Sequence, residues 1–206
     1  MFEPKKIIHI VGSSSVLLEN KMGELIDQAD YVVRFNRSIV QGFEEYVGSK
    51  TTHRYVNRPA AKNEFEPYQK RNQNFFKELN HEKIILDDPN WDSSPIMNET
   101  NFYKVFSKSC DWTYLNRGLE VKTFYTTYKS TFLDHNIIFP DTNPSVGFAM
   151  VCYCLNRKFD IKLFGFGIEE DSSKSSHYYE DKPSNTAVGH NYMFERKILK
   201  LLYTTT

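Results

Sequence analysis

Short apolar runs of strand length alternate with stretches of helical period, from the N-terminus to residue 87 and again beyond residue 143. That alternation restricts the chain to an α/β domain in which helices cover a central, mostly parallel sheet. Residues 5–11 read as a strand, Gly12-Ser13-Ser14-Ser15 as a tight turn and 19–27 as a helix. Strands follow at 31–36 and 52–57, then an amphipathic helix at 62–79 and a strand at 83–87. Between 88 and 143 the pattern loosens, with helical stretches at 99–110 and 128–135 and a strand at 121–125. Pro144-Ser145 opens an almost wholly apolar helix over 146–155, with Ser145 placed as its cap, and 160–166 reads as a buried strand. Residues 168–189 have almost no apolar periodicity and read as a lid, followed by a last helix at 190–203. No repeat or Pro-, Gly- or Ser-rich linker divides the 206 residues, so a single domain is expected.

Basic and acidic side chains balance at 26 each, so the chain has no net charge to hold it to nucleic acid or anionic lipid. Apolar residues make up 40% and aromatics 15%, enough to form a core and too many for a disordered chain. Cys110, Cys152 and Cys154 cannot all pair with one another and lack the spacing of a zinc site. They read as buried free thiols of a reducing compartment. The first apolar stretch, 7–11, is interrupted by His9 and is no signal peptide. The longest apolar run, 148–155, is far short of the roughly 20 residues that span a bilayer.

Three features carry chemistry. The Gly12 turn sits between a strand and a helix, where exposed N–H groups and hydroxyls can hold a phosphate. Alone it is equally a plain connecting turn. The dinucleotide pattern GxGxxG is absent, and Gly48-Ser49-Lys50-Thr51 has neither the spacing nor the preceding strand of a P-loop. The second feature is Asn143-Pro144-Ser145-Val146-Gly147, at the head of the apolar helix, where the dipole and unpaired N–H groups favour an anion. Two such helix entrances facing one crevice would make a nucleotide site. Third come His177 and His190, which bracket the lid. Either imidazole can move a proton near neutrality, and the positive end of the last helix is expected to keep His190 unprotonated, as a general base requires. No Cys/His cluster makes them metal ligands. Asp87 and Asp88 lack a DxD pattern and read as a strand end.

These residues resemble the eukaryotic-type sialyltransferases, which share four motifs. The large motif is similar to 10–58, with Gly12, Gly23, Ile26-Asp27, Asp30, Arg34, Asn36, Gly42-Phe43 and Val47-Gly48-Ser49-Lys50-Thr51-Thr52. The small motif is similar to 143–167, from Pro144-Ser145-Val146-Gly147 to Phe164-Gly165-Phe166-Gly167. The third resembles His177-Tyr178-Tyr179-Glu180, and the very small motif, a His and a Glu with four residues between them, resembles His190 and Glu195.

The resemblance implies one Rossmann-like domain of the GT-A-like sialyltransferase variant that binds CMP-sialic acid at the strand ends. It implies inverting transfer of sialic acid to a glycan or glycolipid hydroxyl, with no metal or other cofactor. Carried over, the Gly12-Ser13-Ser14 turn and Asn36 would meet the nucleotide's phosphate and sugar. Ser145, Val146 and Gly147 would hold ribose and phosphate, and Phe166 and Gly167 would lie beside cytosine. His177 would bond the leaving phosphate and His190 would be the catalytic base.

The family's first turn usually has Asn where this chain has Ser13, so that contact would be shortened or bridged by water. A family disulfide is missing, because its two positions look like His9 and Arg157. With no anchor, a cytoplasmic location is expected, at most peripheral to a membrane carrying the acceptor. Rival readings are a transferase for another CMP-activated acid such as CMP-Kdo, a non-catalytic CMP-sugar-binding module and a donor hydrolase. The acceptor side is expected between the large and small motifs, where Trp91, Phe102, Tyr103, Trp112, Tyr114, Tyr125 and Tyr128 could stack on sugars, though most read as core.

Overall fold

In the computed structural model, which describes residues 1–57, 82–87, 112–139, 143–168, 177–179 and 190–204, the apolar runs pair into one sheet. Its strands are β1 (Ile7–Val11), β2 (Tyr31–Phe35), β3 (His53–Val56), β4 (Lys83–Asp87), β5 (Trp112–Leu115) and β6 (Asp160–Phe164). All pairs are parallel, in the order β5-β4-β3-β2-β1-β6. The register places Ile8 beside both Tyr31 and Ile161, and Tyr55 beside Ile85. The chain adds strands outward from β1 to β5 and then returns to the other side of β1. The order therefore reverses between β1 and β6, and ligands of such sheets bind outside the strand C-termini at that reversal.

Side-chain alternation along the strands builds two layers. Ile8, Ile10, Val33, Phe35, Tyr55 and Ile85 face the larger core. There they meet α3 (Arg117–Thr127), α4 (Lys129–Asp134), α5 (Val146–Asn156) and α6 (Tyr192–Thr204), through Phe124, Phe132, Met150 and Ile198. Val11 and Val32 face the other way, against Leu17 of a 3-10 turn (Ser15–Glu19), Ile26 of α1 (Gly23–Asp27), Val47 of α2 (Glu44–Val47) and Tyr178. Most of α5 is buried, which accounts for its apolar sequence and for Cys152 and Cys154 both being buried free thiols. Cys110 and the helices expected at 62–79 and 99–110 lie outside the described residues.

Arg34 takes a core position on β2 and is fully buried. Its guanidinium donates to the carbonyls of Val47, Gly48 and Lys50 at 2.6, 3.1 and 3.1 Å and to the Thr51 hydroxyl at 2.9 Å. The Val47–Thr51 stretch is thus a backbone cradle for an arginine. Burial lowers the Arg34 pKa to about 10, so it stays charged at neutral pH.

Several expectations are corrected. The strand expected at 121–125 is the middle of α3, because Asn116 caps a helix there, accepting from the Leu119 N–H at 2.9 Å. Val121 and Phe124 share its buried face at helical spacing, a pattern that five residues cannot separate from a strand. Of the helix expected at 19–27 only Gly23–Asp27 is α-helical, with Glu19 ending the preceding 3-10 turn. β5 was not anticipated, since four residues carry little periodicity. β6 ends at Phe164 and, among the described residues, lies at the sheet edge with exposed Asp160 and Lys162, charges that keep such an edge from pairing with other chains. His9 faces Ile26, its ring bonded to that carbonyl, whereas Arg157 closes α5 on the opposite layer against Tyr153 and Glu120. Positions 9 and 157 therefore do not face each other, and no bridge could link them. Tyr125 and Tyr128 pack in the main core, Tyr114 is exposed, and Trp91, Phe102 and Tyr103 lie outside the described residues.

Candidate active site

The C-terminal ends of β1 and β6 are drawn together by a glycine. The Gly12 N–H donates to the Phe164 carbonyl at 2.7 Å, and the Ser14 N–H donates to the Gly165 carbonyl at 3.0 Å. A Cβ on Gly12 would lie 2.3 Å from the Gly165 oxygen, so only glycine allows this approach. His177 is added to the same turn by an antiparallel bridge to Ser14, and the Tyr178 N–H donates to the Ser13 carbonyl at 3.0 Å. The His177 ring stacks on Tyr179 at 5.2 Å between centroids, while the Tyr178 hydroxyl donates to the Ile39 carbonyl. Burial pushes the Tyr178 phenol up to about 12, so it remains a donor.

Ser13 Oγ lies 3.3 Å from the Ser38 hydroxyl, which itself donates to the Phe35 carbonyl at 2.5 Å. Asn36 follows β2 with a φ of 45°, a left-handed conformation that asparagine tolerates. Its side-chain oxygen accepts from the Asn57 N–H at 2.9 Å, which leaves the amide NH₂ as a donor. Arg54 supports this corner from beneath, donating to the carbonyls of Asn36 and Ser38 at 3.2 and 3.1 Å.

The head of α5 forms the second half. Ser145 caps the helix, its hydroxyl accepting from the Phe148 N–H at 3.1 Å. The same hydroxyl donates to Glu195 of α6, so its only hydrogen is already used. The N–H groups of Val146 and Gly147, the next along this helix start, are those suited to an anion. The two halves meet where the Phe166 ring packs on Gly147, so close that a Cβ there would come within 3.2 Å of the ring. Gly167 has a φ of 58° and continues the bend begun by Gly165.

His190 precedes α6, and its Nδ1 lies 2.8 Å from the Asn143 carbonyl oxygen. A carbonyl only accepts, so Nδ1 carries the ring hydrogen and Nε2 keeps its lone pair. The pKa of His190 is lowered, as expected, though by a different cause. Burial is the largest contribution, the Asn143 carbonyl works against it, and the charge of Arg117 adds to the lowering.

The expected site residues thus fall into two connected groups at the C-terminal ends of the strands. Gly12, Ser13, Ser14, Asn36 and His177 gather at β1 and β2, and Ser145, Val146, Gly147 and His190 gather at the start of α5, with Phe166 and Gly167 at the junction. Asp87 is more than a strand end. It is 4% exposed and accepts from Tyr55 Oη at 2.6 Å and from Arg117 Nε at 3.2 Å, in an ion pair with Arg117. An acidic residue closing an apolar parallel strand was a usable signal for Asp87, but Arg117 had none.

The family model described as "Glycosyltransferase family 29 (sialyltransferase)" matches residues 6–206. A CMP-N-acetylneuraminate-beta-galactosamide-alpha-2,3-sialyltransferase 1 from Sus scrofa is 26% identical over 206 residues, covering 94% of this chain and 54% of the relative. The chain therefore spans about half the length of that curated relative. Among solved structures, a mammalian sialyltransferase in complex with Gal-beta-1-3GalNAc-ortho-nitrophenol superposes with a TM-score of 0.61 at 24% identity, over 97% of this chain and 66% of the other. The sialyltransferase CstII from Campylobacter jejuni, in complex with the substrate analogue CMP-3FNeuAc, gives a TM-score of 0.53 at 20% identity, over 97% and 77%. At these identities the structural likeness speaks to the fold.

Proposed function

The chain belongs to glycosyltransferase family 29, the sialyltransferases, and on that premise we propose that it transfers sialic acid from CMP-sialic acid to a glycan hydroxyl with inversion. The acceptor oxygen attacks the anomeric carbon from the face opposite the phosphate. Its proton passes to Nε2 of His190, the bond from the anomeric carbon to the phosphate oxygen breaks, and CMP leaves with the electron pair. The observation that carries this reading is the hydrogen bond from His190 Nδ1 to the Asn143 carbonyl, because it leaves Nε2 as a base beside an anion-binding helix start.

His177, tied to the Gly12 turn, would donate to the departing phosphate together with the N–H groups of Val146 and Gly147. Gly12, Ser13, Ser14 and the Asn36 amide would line the phosphate and sugar, with Phe166 and Gly167 beside the base. Ser145 would act mainly by holding the helix start, since its hydroxyl hydrogen is given to Glu195. A phosphodiester is a good leaving group, so one base and several donors can suffice without metal or other cofactor, each contributing about 10²–10⁴-fold. Cys152 and Cys154 as free thiols favour a reducing, cytoplasmic site of action, and the acceptor is a glycan or a glycolipid. Among the described residues no helix is long and apolar enough to cross a membrane.

The test is to incubate the chain with CMP-sialic acid, a galactoside acceptor and a chelator, following CMP release and product mass. Acceptor-dependent CMP release with a sialylated product is expected. Transfer only from CMP-Kdo would change the donor, release that ignores the acceptor would indicate a hydrolase, and binding without release would leave a CMP-sugar-binding module.

A further inference from the structure

Resting on His190 as the base, we propose that Asp87 and Arg117 are positioning residues for the transfer: their buried ion pair grips the Asn143-Pro144 main chain and thereby sets the tautomer and direction of the His190 ring. Neither residue lies in the four motifs that carry the family resemblance. A continuous set of contacts joins them to the base. Tyr55 on β3 donates to Asp87 Oδ1 at 2.6 Å, and Arg117 at the first turn of α3 donates to both Asp87 oxygens. The remaining arm of the guanidinium donates to the Pro144 carbonyl at 2.9 Å, with the Asn143 side-chain oxygen at 3.5 Å. One residue back along the chain, the Asn143 carbonyl takes the His190 hydrogen bond at 2.8 Å.

The anchor is needed at this point because Pro144 has no N–H. The Asn143–Pro144 peptide cannot be held by a donor of its own, so its orientation is set by what grips the neighbouring carbonyl. Arg117 does so from a disfavoured place. Its side chain is 4% exposed, and it stands at the positive end of its own helix, so it loses hydration and faces the helix dipole at once. Asp87 neutralises it, yet an apolar pair of similar size would remove both penalties. Local rules are broken in this way where a site requires it.

The charged and polar groups around the ring fit that role. Arg117 opposes protonation of His190, Asp87 favours it, the Tyr192 ring lies 5.5 Å away, and the Glu195 carboxylate is turned to Ser145. The pair thus supplies a mechanical hold on the base with opposing charges.

The experiment uses the full 206-residue chain, the double variant Asp87→Leu/Arg117→Met and the single variant Arg117→Lys, which keeps the charge but loses the fork. Nitrogen-15 NMR reads the His190 tautomer, and steady-state kinetics separate kcat from KM. In the parent the Nδ1–H form is expected to dominate. In the double variant the two tautomers should mix and kcat should fall about 10²-fold, with donor KM within about threefold and the acid limb of the pH profile displaced. Arg117→Lys should reproduce the loss of kcat, and it carries the test if the double variant does not fold. A parent ring protonated on Nε2, or variants that keep the parent tautomer and kcat, would overturn the proposal. The tautomer reading needs no turnover, so a chain that transfers nothing would refute the functional reading while leaving this one decided by the spectrum.

Discussion

Glu195 and Ser145 are joined by two hydrogen bonds, 2.7 Å from the Ser145 N–H and 2.6 Å from its hydroxyl. Through them a residue of α6 holds the cap of α5 and ties the last helix to the start of that helix. Burial pushes the Glu195 pKa up to about 7, outweighing the two Ser145 bonds and the charge of Arg117.

A carboxyl whose folded pKa is raised contributes stability that is complete below its unfolded pKa and is lost as pH rises through about 7. Glu195→Gln cannot ionise. The melting temperature of the parent minus that of the variant should therefore fall by roughly 5 °C between pH 5 and pH 8, measured by thermal denaturation. A constant difference would contradict this.

His190 must be neutral to accept a proton, and its pKa is lowered by burial. Activity should therefore persist into more acid solution than an ordinary histidine allows, with the acid limb of kcat/KM centred below pH ~6.5. His190→Ala should lower kcat by about 10²–10⁴-fold and abolish that limb, while calorimetry shows CMP affinity nearly unchanged.

His177 is fixed to the Gly12 turn through Ser14 and is half-buried. His177→Ala should weaken donor binding and slow turnover together, with kcat/KM down by about 10²–10³-fold, since a donor to the departing phosphate acts in both states. Kinetics equal to the parent's would remove His177 from the site.

Gly12→Ala would place a methyl 2.3 Å from the Gly165 carbonyl oxygen, a backbone atom that cannot swing aside. Separating β1 from β6 should cost about 1–3 kcal/mol, read by urea denaturation, and should remove CMP binding. A variant of parent stability that still binds CMP would show that the approach is not required.

Much of the fold was legible because its signals are local. The runs at Ile7–Val11, Tyr31–Phe35, His53–Val56 and Lys83–Asp87 are strands where apolar periodicity indicated them, and Ser145 caps α5 as its position implied. The errors fell where the local signal is ambiguous or too short, at 121–125 and at Trp112–Leu115. Of the candidate site, the Gly12 turn, the α5 head and the two histidines could be proposed from residue type and motif. Asp87 and Arg117 could not be paired, because they are distant in the chain and meet only across the end of β4.

Local pattern alone was enough to locate β1 to β4, the head of α5 and the motifs on which the family resemblance rests. Those features depend on neighbours within a few residues, and a linear pattern records them. Packing of the layers brought Glu195 to Ser145, Arg34 into its cradle of carbonyls and the Asn143 carbonyl to the His190 ring. A hydrogen bond forms within about 3 Å and within a narrow angle, and that geometry exists only after the layers have packed.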